Sequence, residues 1–409
     1  MGFPIKLRAR ATKAQHVTAR TLARVSFEPI PKDERGNYVR VIDAAETDLQ
    51  ANHLDGFAGL LVCAAAESEI VSTLNMPTLL GFPDFSWLTQ GSVVAIGPNS
   101  LDVNVLYRPE SYHNTIFSTG RCNSNCLMCS QPPVIKDDNS ITLEHLRLIE
   151  LIPNEPEVLG ITGGEPTLLG DGLVQIISRL KERIPKTKIH MLTNGRMYAY
   201  KNFTKALGEV CHPGFLSAIP LYSDVAAEHD YVVQAKGAFD QTIVGLYNAA
   251  RFGLETEIRV VLHKQTIPRL VPLMEFIYRN LSFVGHVALM GLENMGYVKK
   301  NWNSLWIDPV DYRDTLLAAV RHLCYRGMNV SVYNLPLCIL PKTVWPFAQQ
   351  SISDFKNIYL DECNCCNARK YCAGLFSSSE SRHSRGIATI AIEEDELQSI
   401  FRPTAVCAA

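Results

Sequence analysis

The sequence predicts an α/β protein built on a partial (β/α)6 barrel, TIM-like in its layout, with a β-rich region before it and a cysteine-rich region after it. Three observations indicate this fold class. Short β-rich runs alternate with amphipathic helical segments from residue 114 onward. Strand patterns dominate the region before that alternation, and cysteines concentrate in the region after it. The alternation indicates a parallel sheet, because parallel strands need crossover connections that a helix usually supplies.

Six strands are predicted for the barrel, at residues 115–119, 158–162, 188–193, 215–221, 257–262 and 284–290. Helical periodicity between them aligns two apolar faces, one formed by Leu173, Ile176, Ile177 and Leu180 and the other by Phe239, Ile243, Leu246, Tyr247 and Ala250. Six units are fewer than the eight that close a full barrel, so we expect a partial one. Ligands should gather at the C-terminal ends of its strands.

We divide the chain into residues 1–112, 113–327 and 328–409. In the first part, the β-rich runs 91–96 and 101–107 flank the turn sequence Gly97-Pro98-Asn99-Ser100, which predicts a β-hairpin. The fold of this part is otherwise not predicted. The last helix of the second part should have Asp308 as its N-cap and Pro309 at its first position, run to Tyr325 and end near Gly327.

The composition is that of a soluble globular protein, with 47% hydrophobic and 20% charged residues. The formal net charge of −2 provides no general attraction to nucleic acid or anionic membranes, so we expect neither as a partner. No apolar run reaches the roughly 18 residues of a membrane span. The basic residues near the N-terminus are not followed by the apolar segment of a secretory signal. We therefore expect a cytoplasmic protein.

The chain has 12 cysteines, and their tight grouping indicates metal binding or redox chemistry in a reducing compartment. Cys122, Cys126 and Cys129 have the spacing C-x3-C-x2-C directly after the first predicted barrel strand. Thiolates are the usual ligands of iron–sulfur clusters, which are commonly held by four. Three thiolates would leave one iron open to another ligand. The alternatives are a zinc site, for which His113 is the nearest histidine, or three core cysteines.

This motif resembles the signature of the radical S-adenosylmethionine (SAM) superfamily. The resemblance implies that the three cysteines hold a [4Fe–4S] cluster whose open iron binds the amino and carboxylate groups of SAM. It implies that one-electron reduction splits SAM into methionine and a 5′-deoxyadenosyl radical, which abstracts a hydrogen atom from the substrate. An electron donor such as flavodoxin or ferredoxin, and a cofactor contact from Met128 within the motif, are also implied. No catalytic side chain is predicted.

Two strand ends carry further resemblance to SAM-binding loops. The second strand ends in Gly163-Gly164-Glu165-Pro166. Paired glycines allow the backbone to approach a ligand closely, and the carboxylate can accept a hydrogen bond from an ammonium group. By itself this is an ordinary β–α turn, but after the cysteine motif it is similar to the family loop that holds the methionine amino group. Asn194, at the end of the third strand, matches another family loop beside the cofactor.

The fourth and fifth strands are less regular. Arg259 lies within an apolar run, so it occupies either an exposed sheet edge or a position where it clamps the methionine carboxylate, which we favour. The serine that many relatives carry after the fourth strand is replaced by Pro220, and we do not assign its role to Ser223.

A second cysteine group follows the barrel. Cys363, Cys366 and Cys372 have the spacing C-x2-C-x5-C, and Cys338 lies upstream. Four thiolates would complete a second [4Fe–4S] cluster with no open site. The pattern resembles the auxiliary-cluster domain called twitch, found in peptide-modifying radical SAM enzymes. Structural zinc is the alternative, because a four-cysteine site with C-x2-C is also typical of zinc. Cys365 is an alternative ligand.

Four longer segments, at residues 122–133, 290–297, 351–357 and 382–387, together resemble the C-type radical SAM maturases of the His-Xaa-Ser system. This resemblance implies a ribosomally made peptide substrate with His-Xaa-Ser repeats and a second radical SAM protein, the B-type maturase, as partner. A small-molecule or cofactor-precursor substrate is the alternative, and a zinc scaffold without radical chemistry is a third reading. Glu293 and Tyr297 are candidates for substrate or adenosine contacts. The segment from Arg382 to Arg385 could bind substrate carbonyls or be solvated, and we favour the solvated alternative.

Overall fold

The computed structural model describes residues 7–44, 50–67, 73–135, 138, 140–210, 212–350 and 357–401. Most of the segment 351–357, which contributed to the maturase resemblance, lies outside these residues. None of the helices in the described ranges combines the length and the apolar character needed to span a bilayer.

The N-terminal region forms a mixed eight-stranded sheet over its own apolar core. The spatial order is β1-β8-β7-β3-β4-β5-β6-β2, and the pairs within β3-β4-β5-β6 are parallel. The predicted hairpin is confirmed, because β7 and β8 pair antiparallel on either side of the turn. The strands are β1 (Arg8–Arg10), β2 (Lys13–Gln15), β3 (Thr21–Ser26), β4 (Tyr38–Ile42), β5 (Gly59–Cys63), β6 (Thr78–Phe82), β7 (Val93–Ile96) and β8 (Asp102–Tyr107). A short helix, α1 (Ala51–Leu54), precedes β5.

The second sheet is parallel throughout, with neighbours in chain order from one edge to the other. All six predicted strands are present, and two more follow them. The sheet therefore continues beyond residue 327, where we had placed a boundary; the added strands are too short to show a strand period. The strands are β9 (Asn114–Phe117), β10 (Val158–Thr162), β11 (Lys188–Leu192), β12 (Phe215–Pro220), β13 (Glu255–Leu262), β14 (His286–Gly291), β15 (Val330–Tyr333) and β16 (Ala348–Gln349).

Helices pack around this sheet, and most of them share one large apolar core with it. They are α2 (Ile141–Leu151), α3 (Asp171–Arg183), α4 (Lys201–Val210), α5 (Ala226–Val233), α6 (Ala238–Arg251), α7 (Leu270–Asn280), α8 (Val298–Leu305), α9 (Arg313–Cys324) and α10 (Glu394–Phe401). The predicted face of α3 is confirmed, since its four aligned residues are buried. The predicted cap is also confirmed: Asp308 accepts a hydrogen bond from the Val310 amide at 3.1 Å, although the first turn (Pro309–Tyr312) is a 3-10 helix that leads into α9.

The predicted face of α6 is partly wrong. Leu246 is buried as expected, but Tyr247 and Ala250 are exposed. Small residues form much of the buried face instead, because α6 packs very close to a neighbouring loop: a Cβ atom on Gly245 would lie 2.3 Å from the Gly195 carbonyl oxygen. Apolar periodicity favours large side chains and so misses a face built on close backbone approach.

The cysteine-rich region is made of short pieces that pack on the barrel. The region contains a two-stranded antiparallel pair formed by β17 (Asn357–Ile358) and β18 (Leu375–Phe376). Helix α10 holds the end of the region, since Phe401 stacks on Tyr371 with ring centroids 4.3 Å apart. Ala368 and Leu397 belong to the same buried core as the barrel helices. The fold thus brings the second cysteine group against the barrel.

Candidate functional site

The loop that follows β9 carries Cys122, Cys126 and Cys129 at the C-terminal end of the sheet, and all three are half-buried. Backbone hydrogen bonds hold this cysteine loop from two sides. The amides of Asn125 and Leu127 donate to carbonyls in the last turn of α5, at 3.0 and 2.9 Å. From the other side, the Asn301 side chain donates to the Leu127 carbonyl at 2.8 Å. The fold therefore presents the three thiols on a loop that is fixed before any ligand binds.

The thiols lie in surroundings that oppose their ionisation. Burial raises the pKa of Cys122 to about 11 and that of Cys126 to about 12, and it also raises the pKa of Cys129. The three groups are close enough for the negative charge of Cys122 and Cys129 to contribute to the raised pKa of Cys126. At neutral pH the loop therefore holds thiols, and a metal must displace their protons to bind.

The donor set fits an iron–sulfur cluster better than a single zinc ion. Zinc needs its sulfur ligands within about 2.3 Å of one point. Within the described part of the chain, no three His, Cys, Asp or Glu side chains converge enough to hold a single metal ion. A cluster instead spreads its thiolates over separate irons. The zinc alternative also loses its histidine, because His113 precedes β9 and so lies at the opposite end of that strand.

The predicted glycines contact the cysteine loop itself. The Gly164 amide donates to the Thr119 carbonyl at 2.7 Å, and the Glu165 amide donates to the Arg121 carbonyl at 2.8 Å. A Cβ atom on Gly164 would lie 2.2 Å from the Arg121 carbonyl oxygen, and one on Gly163, where φ is +151°, would lie 2.5 Å from that of Thr119. We predicted glycines for close approach to a ligand. The structure shows that they allow close approach between two loops.

Glu165 is buried, and its carboxylate is already occupied. One oxygen accepts from the Thr167 amide at 3.0 Å, the Thr167 hydroxyl at 2.5 Å and the Thr193 hydroxyl at 2.6 Å, and the other accepts from the Asn194 amide at 2.6 Å. Burial raises its pKa in spite of these bonds. The carboxylate therefore joins the loops after β10 and β11, and its contact with the SAM amino group stays a prediction. Pro166 begins the 3-10 turn that Glu165 caps.

Replacing Glu165 with Gln should destabilise the site, because the new amide group would place a donor against the threonine and backbone donors. We expect a loss of about 1–3 kcal/mol in the free energy of unfolding, the range for leaving buried groups unpaired. Denaturant unfolding of the purified chain measures it. Glu182→Gln, on the exposed face of α3, is the control. Equal stability of the two variants would refute the joining role.

Asn194 and its neighbour Arg196 reach the cysteine loop from the end of β11. The Asn194 side-chain amide donates to the Asn123 side chain at 2.6 Å and lies 4.0 Å from the Cys122 sulfur. Arg196 donates to the Asn123 carbonyl and, at 3.0 Å, to the Ser124 hydroxyl. Its charge acts to lower the pKa of Cys122, against the larger effect of burial. Sequence reasoning missed Arg196, although a cation two residues from Asn194 was the available signal.

Arg259 faces the inside of the barrel. Ile258, Val260 and Leu262 pack into the core beneath the helices, so the alternate residues of β13 face the other way. The edge alternative is wrong, because β13 pairs with β12 on one side and β14 on the other. Arg259 donates to Glu257 at 2.6 Å. The carboxylate clamp stays a prediction.

Glu257 anchors a polar cluster on this inner face. Its carboxylate lies 3.4 Å from His190 and 3.0 Å from His286, in addition to Arg259. Burial acts to raise the pKa of Glu257, but hydrogen bonds from both histidines and the Arg259 charge hold it far below its ordinary value. This carboxylate is therefore ionised at any physiological pH and fixes the position of Arg259.

Two residues near the cysteine loop serve in packing and capping. Met128, predicted to contact the cofactor, is only 8% exposed and belongs to a small apolar cluster with Tyr222. Its side chain packs in this cluster, and its contact with the cofactor stays a prediction. Ser223, to which we assigned no role, donates to Glu228 at 2.7 Å and accepts from the Val225 amide at the start of α5.

The loop after β14 lies directly on the cysteine loop. The Tyr297 amide donates to the Cys129 carbonyl at 2.9 Å. Gly296 has φ of +53°, and a Cβ atom there would lie 2.2 Å from that same carbonyl oxygen. Glu293 is half-buried in this loop. Tyr297 is thus beside the cysteines as expected, and substrate or adenosine contacts of both residues stay predictions.

The second cysteine group lines one cavity of about 370 Å³, counted with its opening to solvent. All four predicted ligands contribute to its lining, which is otherwise mostly apolar: Cys338, Cys363, Cys366 and Cys372. The amides of Leu337 and Gly374 both donate to the Cys372 sulfur at 3.4 Å, as suits a thiolate. Burial raises the pKa of Cys372 to about 11. Cys365 is exposed and does not line the cavity, so it is a poor substitute ligand.

A second cavity, of about 480 Å³ with its opening, lies between the barrel mouth and the cysteine-rich region. The C-terminal ends of β13, β14 and β15 form one wall, and residues 375–384 form the other. It shares Pro336 and Leu375 with the four-thiol cavity. The Arg382 guanidinium, in its wall, lies 5.2 Å from the Trp302 ring centre, and Trp302 stacks on Trp306 at 4.5 Å.

The segment 382–385 is largely solvated as expected, since Arg382, His383 and Arg385 are exposed, but it is also anchored. Arg385 forms ion pairs with Asp311 and, at 3.2 Å, with Asp308. The Ser384 hydroxyl donates to Asp308 at 2.5 Å. The N-cap of the helix before α9 thus also fixes the cavity wall, a long-range contact that sequence spacing does not show.

Comparison with known proteins gives the same family as the cysteine motif. Residues 116–277 match the model of the radical SAM superfamily. A curated relative, the Fe-coproporphyrin III synthase of Methanosarcina barkeri, is 30% identical over 164 residues, which is 38% of this chain and 39% of that protein. The chain thus matches about two fifths of that relative's length.

Solved structures that match this chain at low identity include two with bound S-adenosylmethionine (AdoMet). Streptococcus suis SuiB bound to S-adenosylmethionine is 16% identical with a TM-score of 0.41, over 56% of this chain and 47% of that one. Native anSMEcpe with bound AdoMet and the Kp18Cys peptide is 14% identical with a TM-score of 0.47, over 71% of this chain and 95% of that one. The family match over residues 116–277 and the three-cysteine loop within it support assignment to the radical SAM superfamily.

Proposed function

We propose that the protein reductively cleaves SAM and uses the resulting radical to modify a ribosomally made peptide with His-Xaa-Ser repeats. The observation that carries the first half is the three-cysteine loop, which backbone hydrogen bonds fix at the barrel mouth. A cluster held there keeps one iron open for SAM. The peptide substrate and a B-type maturase partner rest on the sequence resemblance.

Each part of the site has a separate task in this proposal. A bound cluster and SAM would together supply the one-electron cleavage that gives methionine and a 5′-deoxyadenosyl radical. Cys122, Cys126 and Cys129 hold the cluster, and Glu165 keeps the loops beneath it in place. Arg259, fixed by ionised Glu257, binds the methionine carboxylate by a charge-assisted pair. A cytoplasmic flavodoxin or ferredoxin supplies the electron.

The cavity at the barrel mouth supports a peptide as substrate. It lies at the strand ends, is open to solvent and shares Pro336 and Leu375 with the four-thiol cavity. Its aromatic and aliphatic lining with one guanidinium suits side chains and backbone carbonyls of a peptide. The four thiols beside it would hold a second [4Fe–4S] cluster next to the substrate, with every iron ligated by protein.

A small molecule or cofactor precursor is the second candidate substrate. The observation that favours it is the 30% identity to the Fe-coproporphyrin III synthase, whose name identifies a tetrapyrrole product. The two candidates therefore need a direct test.

Anaerobic reconstitution followed by product analysis separates these functions. The chain is incubated with SAM and dithionite, first alone, then with a His-Xaa-Ser peptide with and without the B-type maturase, and then with an iron tetrapyrrole precursor. Formation of 5′-deoxyadenosine in the first step supports the radical activity, and its absence would refute it. A mass change in the peptide supports the maturase function. A change in the tetrapyrrole alone would establish the second candidate instead.

Replacing Arg382 with Ala should weaken binding of the peptide and leave SAM cleavage without substrate unchanged. The guanidinium lies in the cavity wall over Trp302, far along the chain from the cysteine loop. We expect KM for the peptide to rise roughly three- to tenfold, which corresponds to about 1 kcal/mol. Arg326→Ala is a matched control, since that guanidinium also lies 5.2 Å from an aromatic ring centre, on Tyr278. Equal KM values for both variants would contradict this location for the substrate.

A further inference from the structure

Arg369 is a cation at the four-thiol cavity that forms no ion pair with a carboxylate among the described residues. Arg369 lines this cavity together with the four cysteines. Its guanidinium carbon lies 4.4 Å from the centre of the Tyr359 ring, and the Tyr359 hydroxyl donates to the Cys372 carbonyl at 3.0 Å. Tyr359 also lines the cavity, and the ring thus forms a platform between the cation and the cysteines.

Arg369 differs from the neighbouring Lys370 in its ion pairing. Among the ion pairs of the described residues, none involves Arg369, whereas the next residue, Lys370, pairs with Glu394. Arg369 therefore brings an uncompensated positive charge to the edge of a site built for thiolates.

A positive charge at this place has a defined effect on a bound cluster. A cluster held by four thiolates is negatively charged, and reduction adds a further negative charge. A nearby cation stabilises the reduced form more than the oxidised form and so raises the reduction potential. Hydrogen bonds to the sulfurs act in the same direction, and the amides of Leu337 and Gly374 supply them to Cys372.

We propose that the positive charge of Arg369 raises the reduction potential of the cluster on Cys338, Cys363, Cys366 and Cys372. The Tyr359 ring holds the guanidinium in position for this effect. The inference rests on the proposed function, because it requires that cluster. A higher potential makes the cluster a better electron acceptor beside the substrate cavity. Because the outer side of Arg369 is exposed, salt screens part of its field over a Debye length of about 10 Å at 0.1 M ionic strength.

The test is a redox titration followed by electron paramagnetic resonance, on full-length protein carrying Cys126→Ala so that only the second cluster contributes. Arg369→Gln should lower the midpoint potential, and Arg369→Lys, which keeps the charge, should restore most of it. The difference should shrink as ionic strength increases. Lys370→Gln is the matched control, since it removes an adjacent charge that Glu394 already neutralises.

The possible outcomes distinguish a failure of the inference about Arg369 from a failure of the proposed second cluster. An unchanged potential in Arg369→Gln, or an equal decrease in Lys370→Gln, would overturn the role of Arg369 while leaving the second cluster in place. Protein with Cys126→Ala that contains no iron after reconstitution would overturn the second cluster itself, and the inference with it. Iron content of every variant is measured beside its potential.

Discussion

Cys126→Ala should abolish SAM cleavage. Cys126 is the central thiol of the loop, the one whose neighbours Cys122 and Cys129 both contribute to its raised pKa, and its loss leaves only two ligands. Two thiolates do not retain a cluster that is normally held by three or four. We expect 5′-deoxyadenosine formation to fall by at least roughly a hundredfold, equivalent to about 2.7 kcal/mol in the barrier. Chromatography of anaerobic reactions with SAM and dithionite measures it.

The matched comparison is with the second cysteine group. Cys366→Ala should spare SAM cleavage without substrate and remove modification of the substrate, because Cys366 lines the other cavity. Cys365→Ala should affect neither, since that thiol is exposed and outside the lining. If Cys126→Ala and Cys366→Ala lost the same activities, the assignment of SAM cleavage to the first cysteine group and of substrate modification to the second would be wrong.

Gly164→Ala should remove most of the first cluster without touching a cysteine. The added methyl group would lie 2.2 Å from the Arg121 carbonyl oxygen and 2.7 Å from its carbon, both backbone atoms that cannot rotate away. The cysteine loop must shift, which would break the hydrogen bond from the Gly164 amide to Thr119. Overpacking of this kind costs about 1–3 kcal/mol. Iron content and 5′-deoxyadenosine yield should both fall to less than about a tenth of wild type.

Gly285→Ala is the control for this substitution. Gly285 lies just before β14 in the same sheet, and a Cβ atom there would come no closer than 3.7 Å to another residue, which is ordinary contact. This variant should keep its iron and its activity. Full iron content in Gly164→Ala would show that the loop tolerates displacement, contrary to the packing described above.

Local patterns in the sequence were sufficient for much of the fold. The six barrel strands, the hairpin and the Asp308 cap each depend on residues close together in the chain, so their signals survive without the tertiary structure. Strands β15 and β16 were missed because four and two residues are too few to show a period. The face of α6 was misassigned because its packing depends on the absence of a side chain at Gly245.

The same distinction between local and long-range signals applies to the candidate site. Cysteine spacing identified both groups of thiols, because each group is mostly local in sequence. The role of Glu165 was not accessible, since its partner Thr193 lies 28 positions away, on the loop of another strand. Arg196 and Arg385 act through similarly distant partners, Asn123 and Asp308. Sequence spacing thus predicts which residue types lie close together. It does not predict which of them face a ligand and which form hydrogen bonds or ion pairs with one another.

Iron and acid-labile sulfide counts on anaerobically reconstituted chain test the central claim most directly, with zinc measured in the same samples. With both clusters present, we expect about eight irons and eight sulfides for each wild-type chain and about four of each in Cys126→Ala. Wild-type protein that contains stoichiometric zinc and no iron, or a Cys126→Ala variant with as much iron as wild type, would contradict the cluster on the barrel loop.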